Sequence, residues 1–202
     1  MSELLAAAAE LPVIEWSAVV LALGYVVLAA RNSPWCWPLA FVSSCLWAYQ
    51  VYAAYALYFD AALNAFYAVM AIVGAVQWLR GGAGGEPLPI TRLPLSTHAA
   101  WIGGGLAATG LAWVLAEAYT DAARPLADAL TTVFSVIGTI LLVRRVVDNW
   151  LYLLAMDLVY VWLYLERGSL LFAGLFVVYS VLAVVGYAAW LRELRVERAR
   201  AA

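Results

Sequence analysis

Charged residues are scarce in this chain: its 202 residues include 12% charged side chains against 67% hydrophobic ones. A soluble domain has about a quarter charged residues and nearer half apolar ones. The composition therefore excludes an ordinary soluble domain and indicates an integral membrane protein. The length leaves room for several membrane spans of about 20 residues each and for almost no soluble domain.

The residue types on which enzyme and metal chemistry depend are also few. The chain has 2 cysteines and 1 histidine. No stretch matches a zinc site, a metalloprotease helix, a nucleophile beside paired acids or a glycine-rich phosphate loop. We therefore predict neither an enzyme nor a cofactor. The net charge of −2, with no long basic run, gives no indication of nucleic-acid binding.

Seven apolar segments stand out, separated by short breaks rich in arginine, glycine and proline. Nine arginines fall on one side of the predicted membrane, and only Arg124 and Arg167 fall on the other. The positive-inside rule therefore places the N-terminus outside the cell and the C-terminus in the cytoplasm. The segments are approximately residues 11–30, 35–54, 57–79, 98–119, 125–143, 148–166 and 169–191.

The sequence also contains an internal repeat. A shift of 112 residues aligns residues 35–80 with residues 147–192 without a gap. Apolar residues often match one another by chance. The evidence for the repeat therefore comes from the matched tyrosines and glycines and from the shared Trp-Leu-Arg ending. Four spans separate the copies, and both copies therefore cross the membrane in the same direction. Parallel repeats of this kind are typical of transporters that bind substrate near the midplane.

The predicted fold is an all-α integral membrane protein with seven transmembrane helices in a three-one-three order. Residues 1–80 are expected to form an N-terminal three-helix bundle, followed by a loop and a linker helix over 81–120. Residues 121–192 are expected to form the second three-helix bundle. Residues 193–202 would form a cytoplasmic tail, either solvated or as an extension of the last helix.

A carboxylate near the middle of the sixth segment is the strongest functional signal. An aspartate at the membrane centre costs about 2.5–3.5 kcal/mol, so other groups in the protein must compensate for Asp157. Asn149, Tyr160 and Tyr164 fall on the same side of this helix. The pattern indicates one wall of a polar, aromatic-lined cavity. A buried carboxylate that serves fold specificity alone is the alternative.

The third segment carries a second polar face. Asn64 shares this face with alanines that would let a ligand or another helix approach closely. The chain has 10 tryptophans and 12 tyrosines, more than interfacial belts require. Trp37 and Trp47 are therefore candidates for stacking on an aromatic solute. Roles in the membrane interface or in helix packing are the alternatives, as interhelical contact is for Asn64.

Several motifs together resemble the bacterial nicotinamide riboside transporters of the PnuC family. The second half carries the DALTT opening of the fifth helix, an acid-Asn-Trp entry into the sixth helix, and LYxxxG before the seventh. The first half carries WCWP at 35–38, an aromatic run to residues 57 and 58, and GxxQW at 74–78. The resemblance extends over the whole chain apart from the 81–96 loop and the tail.

The resemblance implies a doubled bacterial sugar-transporter repeat that assembles as a homotrimer in the bacterial inner membrane. It implies facilitated diffusion of a water-soluble vitamin precursor, which phosphorylation inside the cell then traps. Substrate contacts in the family lie on the third and sixth helices. Carried over residue by residue, they fall here on Asn64 and Asn149, with Trp37, Trp47 and Tyr67 as candidates for ring stacking.

Three departures from the family pattern concern the cargo. The third helix has GAVQW where many relatives have GWWQW, Asn64 replaces a common glutamine, and Leu153 replaces a frequent aromatic. We expect nicotinamide riboside as substrate, because aromatic walls and a carboxylate suit a cationic ring. Asp157 would orient Asn149 or Tyr160, or support the charge. Thiamine and riboflavin are the alternatives within the family, and a membrane enzyme or accessory subunit is the alternative outside it.

Overall fold

The structure is a computed structural model that describes residues 12–53, 58–119 and 124–201. The described residues form seven α-helices, which confirms the predicted all-α fold. Predicted boundaries at residues 11, 54 and 57, and the break at 121–123, lie outside the described residues. The helices are α1 Val13–Ala30, α2 Cys36–Ala53, α3 Tyr58–Arg80, α4 Leu95–Tyr119, α5 Pro125–Val143, α6 Asn149–Glu166 and α7 Leu170–Ala201.

Five of these helices, α1, α3, α4, α5 and α7, are long and apolar enough to cross a membrane by length and composition. Hydrocarbon offers no partner to backbone polar groups, which is why long apolar stretches form helices there. The other two, α2 and α6, have 18 residues each and carry buried polar residues such as Gln50 and Asn149. Each of them packs between the first and third helix of its own bundle, so the more apolar helices shield the more polar ones.

The two bundles are arranged symmetrically. Helix α2 contacts α1 and α3, and α6 contacts α5 and α7 in the same way. The bundles meet through α1 against α7 and through α3 against α5, while α4 packs on α5. Exchanging the bundles converts each of these two interfaces into the other. The halves are therefore related by a pseudo-two-fold axis, as expected for the predicted parallel repeat.

The first helices of the two bundles end in the same way. Asn32 after α1 has a φ of 56°, and Arg145 after α5 has a φ of 52°. In each case the N–H of the next residue donates to the carbonyl five residues back, at 2.9 and 3.0 Å. These are Schellman-type ends, which satisfy carbonyls that the helix leaves free. A left-handed residue other than glycine costs about 1–2 kcal/mol, so other contacts must compensate.

The repeat is one residue out of the register that the sequence suggested. Asn32 and Arg145 are 113 residues apart and meet directly, with Arg145 Nε donating to Asn32 Oδ1 at 3.1 Å. The second helices keep this spacing, because Trp37 packs on Gly74 as Trp150 packs on Gly186. The gapless alignment is therefore wrong in α2 and α6. Trp37 corresponds to Trp150 and not to its neighbour, and the difference of one residue arises between the second and third helices.

Two helices are longer than predicted. Helix α4 begins at Leu95, about a turn before residue 98, and the N–H of His98 donates to the Pro94 carbonyl at 3.2 Å. Proline has no N–H to satisfy, which suits it to the start of a helix. Helix α7 continues to Ala201, so the residues predicted as a tail extend the last helix. The division of the chain into domains stays a prediction.

Candidate substrate pathway

Four tryptophans meet at the pseudo-two-fold axis near one end of the bundles. Trp37 of α2 packs edge-to-face on Trp78 of α3 with ring centroids 5.1 Å apart, and Trp150 of α6 packs on Trp190 of α7 at 5.7 Å. Trp78 and Trp190 meet across the interface at 5.5 Å. All four are at most 2% exposed. This tryptophan quartet joins α2, α3, α6 and α7 at one level.

Two glycines allow the quartet to pack this closely. A Cβ atom at Gly74 would lie 2.4 Å from the Trp37 ring, and one at Gly186 would lie 2.6 Å from the Trp150 ring. Interiors are packed so densely that no side chain fits at these distances. The Gly-x-x-x-Trp sequences of α3 and α7 are therefore packing motifs, in which glycine receives an indole from the neighbouring helix.

The four indole N–H groups fall into two classes. Trp78 donates to the Leu142 carbonyl at 3.2 Å, and Trp190 donates to the Ala29 carbonyl at 2.9 Å, so each bonds to the opposite bundle. The N–H groups of Trp37 and Trp150 are buried and find no partner among the described residues. A buried unsatisfied donor costs about 1–3 kcal/mol. Two such groups in equivalent positions point to a functional role beyond stability.

The loop between α3 and α4 covers the end of the molecule next to the quartet. Thr91 pairs with Val146 in an isolated parallel bridge, and the Val147 N–H donates to the Thr91 carbonyl at 2.9 Å. The Leu88 N–H donates to the Trp78 carbonyl at 3.3 Å. Ile90 is buried with the quartet in one hydrophobic cluster. The loop therefore closes this end of the interface between the bundles.

Arg145 connects the loop and both bundles at this end. Its guanidinium lies 5.1 Å from the Trp78 ring centroid, donates to the Leu88 carbonyl and reaches Asn32 in the other bundle. Burial lowers the pKa of Arg145, and the carboxylates of Glu193 and Glu197 on α7 act in the opposite direction. These contacts offset the cost of the left-handed backbone conformation at Arg145.

A group of tyrosines lies further along the interface, above the quartet. Tyr67 and Tyr179 are equivalent residues of α3 and α7, and each precedes the quartet tryptophan of its helix by about 16 Å of helix. Tyr67 lies near Ser135 of α5 and Tyr160 of α6. Five residues of this region are called the central cluster below, namely Tyr25, Tyr67, Asp157, Tyr160 and Tyr179.

Asp157 supplies the charge of the central cluster. Its carboxylate interacts electrostatically with Tyr179, and Tyr25 of α1 interacts with both Tyr67 and Tyr179. Tyr25 also lies against Trp37, with ring centroids 6.3 Å apart, and so connects the cluster to the quartet. Polar and aromatic groups of both bundles therefore follow one another along the interface, and this series of residues is the candidate route of a substrate.

The two bundles differ at one equivalent pair of residues. In the second bundle Tyr160 stacks on Phe176, with ring centroids 4.5 Å apart and planes at 26°. Tyr160 follows Trp150 by ten residues, and Phe176 precedes Gly186 by ten. In the first bundle, the residues at the same distances from Trp37 and Gly74 are Trp47 and Asn64. An amide therefore stands where the second bundle has a ring. The Asn64 amide donates to the Asp60 carbonyl at 2.9 Å.

Charged residues gather at the end opposite the quartet. Asp60 of α3 and Asp128 of α5 interact electrostatically, and Arg167 lies 3.6 Å from Asp128. Arg124 forms an ion pair with Glu166, and both groups are partly exposed. Carboxylates and arginines therefore occur together at this end.

The predicted site residues lie at different depths along this route. Tyr67, Asp157 and Tyr160 come together in the central cluster, and Trp37 lies in the quartet. Asn149 begins α6 beside the quartet, fully buried, with its Oδ1 unpartnered within the described chain. Asn64 lies 14 residues, or about 20 Å, from the quartet along α3. The structure does not bring Asn64 and Asn149 together, so one small solute would meet them in turn.

Three residues on this route escaped the sequence reasoning. The repeat matched Tyr179 with Tyr67, and this match could have identified Tyr179. Trp150 was hidden by the one-residue register error. Tyr25 is the one tyrosine of the first helix, and its hydroxyl within an apolar stretch could have identified it.

Comparison with known proteins agrees with this arrangement. The family model described as nicotinamide mononucleotide transporter matches residues 12–192. The fold is similar to the crystal structure of the vitamin B3 transporter PnuC, with a TM-score of 0.71 and 20% identity over 90% of this chain and 82% of that chain. A comparison with curated protein sequences finds no significant match. The chain belongs to the nicotinamide mononucleotide transporter family, as its motifs predicted.

Proposed function

We propose that this protein takes up nicotinamide riboside across the bacterial inner membrane by facilitated diffusion. The single observation that carries the proposal is that the two bundles have different residues at one pair of equivalent positions. Phe176 stacks on Tyr160, whereas the equivalent positions of the first bundle hold Asn64 and Trp47. The pyridinium ring of the substrate would lie on Trp47 where the second bundle places a phenyl ring. The Asn64 side chain would then bond the carboxamide, since an amide both donates and accepts.

The charges along the route favour the riboside over its phosphorylated form. Four acids, namely Asp60, Asp128, Asp157 and Glu166, belong to the central cluster and the outer end, against two arginines, Arg124 and Arg167, which pair with Glu166 and Asp128. Nicotinamide riboside carries one positive charge on its ring. A mononucleotide adds a phosphate whose negative charges the same acids would repel. The family description names the mononucleotide, so the two cargoes are the first comparison to make.

The depth of the polar groups suggests a sequence of contacts. The acids at the outer end attract the cation, and Trp47, Asn64 and the central cluster hold its ring and ribose. Asn149 and the free indole N–H groups would receive the hydroxyl groups once the quartet separates. No chain of membrane acids and histidines connects the two ends among the described residues, which fits diffusion without a proton circuit. Phosphorylation in the cytoplasm would trap the product, and we propose a homotrimer as the assembly.

Replacing Asn64 by phenylalanine tests the proposal most directly. The variant Asn64→Phe copies the stacked pair of the second bundle and fills the position meant for the substrate ring. We expect calorimetric titration to show at least about a hundredfold weaker binding of nicotinamide riboside, since a stacked ring and two polar contacts together contribute several kcal/mol. Val69→Phe on the exposed face of the same helix is the matched control. Unchanged affinity in Asn64→Phe would refute this assignment.

The same titration separates the alternatives. Thiamine is also a cationic aromatic, and riboflavin is a larger uncharged one, so selective binding of either would replace the proposed cargo. A membrane enzyme or an accessory subunit would move no solute by itself. Uptake of nicotinamide riboside into empty liposomes that contain only this protein distinguishes a transporter from both.

A further inference from the structure

A groove on the outside of the second bundle lies away from the substrate route. It has a volume of about 720 Å³ and runs between α4, α5 and α6. Its walls are mostly apolar, and they include Ile102, Leu130, Phe134, Ala155 and Met156. Ile102 and Ala155 are exposed on the outer surface of these helices, so the groove is open along its side.

One end of the groove is polar, and its polar groups are held in place. The buried carboxylate of Asp148 accepts hydrogen bonds from Arg92 Nε and from the Leu93 N–H, each at 3.2 Å. His98 Nε2 lies 3.3 Å from the same carboxylate, and His98 Nδ1 lies 2.9 Å from the Tyr152 hydroxyl. This network fixes Arg92 at the boundary between the apolar groove and the end of the molecule covered by the loop.

Arg92 also lines a second cavity. This cleft, of about 380 Å³, lies between the 81–94 loop and the extension of α7, with Thr91, Arg92 and Arg198 on its walls. Glu197 lines it as well. The Arg92 side chain is about half exposed, at 49%. An apolar groove and a polar cleft thus meet at one arginine, as the tail and head of a lipid would require.

Two arginines meet at this point, because Arg92 and Arg198 both line the cleft. Arg92 pairs with Asp148 through Nε and its Nη2 donates to the Tyr187 hydroxyl at 3.3 Å, while Glu197 is the acid that lines the cleft with Arg198. We infer that this surface binds an anionic glycerophospholipid, with its phosphate between Arg92 and Arg198 and an acyl chain in the groove.

A lipid fits this surface better than a second copy of the chain. A protein partner would have to desolvate the partly exposed guanidinium groups, whereas an anionic phosphate pairs with them. Each nearby arginine contributes about 1 kcal/mol at an anionic surface, whereas the acyl chain only exchanges one apolar environment for another and is positioned by its fit to the groove. The inference concerns the outer surface and does not depend on the identity of the transported vitamin.

Native mass spectrometry of the delipidated full-length protein tests the inference. The protein would be titrated with dioleoyl phosphatidylglycerol, dioleoyl phosphatidylcholine and inorganic phosphate. We expect one phosphatidylglycerol per chain, retained at least about fivefold better than phosphatidylcholine, since one arginine contributes about this factor. Inorganic phosphate alone should not be retained, because it has no chain to occupy the groove.

Two pairs of variants separate the head site from the tail site. Ala155→Trp fills the groove and should abolish the retained lipid, whereas Ala108→Trp, on an exposed part of α4 outside the groove, should not. Arg198→Gln should lower the preference for phosphatidylglycerol about fivefold, whereas Arg195→Gln should not. Equal retention of both lipids, equal effects within either pair, or a change of oligomeric mass in Ala155→Trp would overturn the inference. A folded elution profile is required of each variant, and Arg198→Gln keeps the test valid if Ala155→Trp fails to fold.

Discussion

At the scale of single residues, Asp157 is the position at which charge enters the centre of the interface. It has no acidic counterpart in the first bundle, where the equivalent residue of α2 is Ser44. The carboxylate interacts with Tyr179 of the opposite wall of its own bundle. A single acid among tyrosines suits a ligand with a single positive charge, because the aromatic faces and the carboxylate attract it together.

Replacing this carboxylate by an amide of the same shape isolates the contribution of charge. We expect Asp157→Asn to weaken binding of nicotinamide riboside about tenfold, equivalent to about 1.4 kcal/mol. Binding of the reduced riboside, whose dihydropyridine ring is uncharged, should change little. Calorimetric titration of both ligands measures the difference. If the two ligands lose affinity equally, the carboxylate orients neighbouring groups instead of balancing the charge of the ring.

The sequence predicted some of these residues and misplaced others for identifiable reasons. Asp157 could be found because an acid within an apolar span is expensive wherever it lies. Trp37 was a candidate for stacking with packing as the alternative; it packs against Trp78, and its part in substrate binding stays a prediction, since composition cannot distinguish a stacking surface from an interior contact. Gly74 and Gly186 were matched correctly, but the indoles resting on them were not, because a one-residue shift is invisible among apolar residues.

At the scale of helices, packing of α2 on α3 and of α6 on α7 depends on the absence of a side chain at two positions. Alanine is the better helix former by about 1 kcal/mol, so Gly→Ala is stabilising where space allows. At Gly74 and Gly186 the new methyl group would meet an indole ring instead. At Gly103 of α4 nothing lies within 4 Å of the added atom.

We therefore expect opposite effects from the same substitution. Gly74→Ala and Gly186→Ala should each destabilise the protein by about 1–3 kcal/mol, because the quartet must shift to admit the methyl group. Gly103→Ala should be neutral or slightly stabilising. Thermal unfolding in detergent, followed by circular dichroism, gives the comparison. A melting temperature for Gly74→Ala equal to that of Gly103→Ala would mean that the indoles do not rest on this glycine.

Helix identity was more predictable than helix ends. All seven predicted segments are helices, because an apolar stretch of this length can satisfy its backbone in hydrocarbon in one way only. The start of α4 was placed late, since Leu95 and Ser96 follow a proline-rich loop and carry no apolar periodicity. The extension of α7 was left open because arginine and glutamate favour a helix and a solvated tail alike.

At the scale of the whole molecule, arginines separate into two groups at opposite ends. Arg31, Arg80, Arg92, Arg144 and Arg145 lie with the quartet, where Arg145 joins Asn32 and the covering loop. At the other end, Arg124 pairs with Glu166 and Arg167 with Asp128. The sequence could predict this distribution because each loop simply alternates between sides. The contacts between the loops required the three-dimensional structure.

From the positive-inside rule we propose that the larger group of arginines lies in the cytoplasm, with the quartet end of the molecule inside the cell. We expect Val13→Cys, at the exposed start of α1, to react with a membrane-impermeant maleimide in intact spheroplasts. Ala83→Cys, in the exposed loop between α3 and α4, should react only after lysis. Both variants would carry Cys45→Ala, because Cys45 is exposed and Cys36 is buried. Labelling of Ala83→Cys before lysis would reverse the proposed orientation and place the ion pairs of Arg124 and Arg167, rather than the quartet, at the cytoplasmic surface.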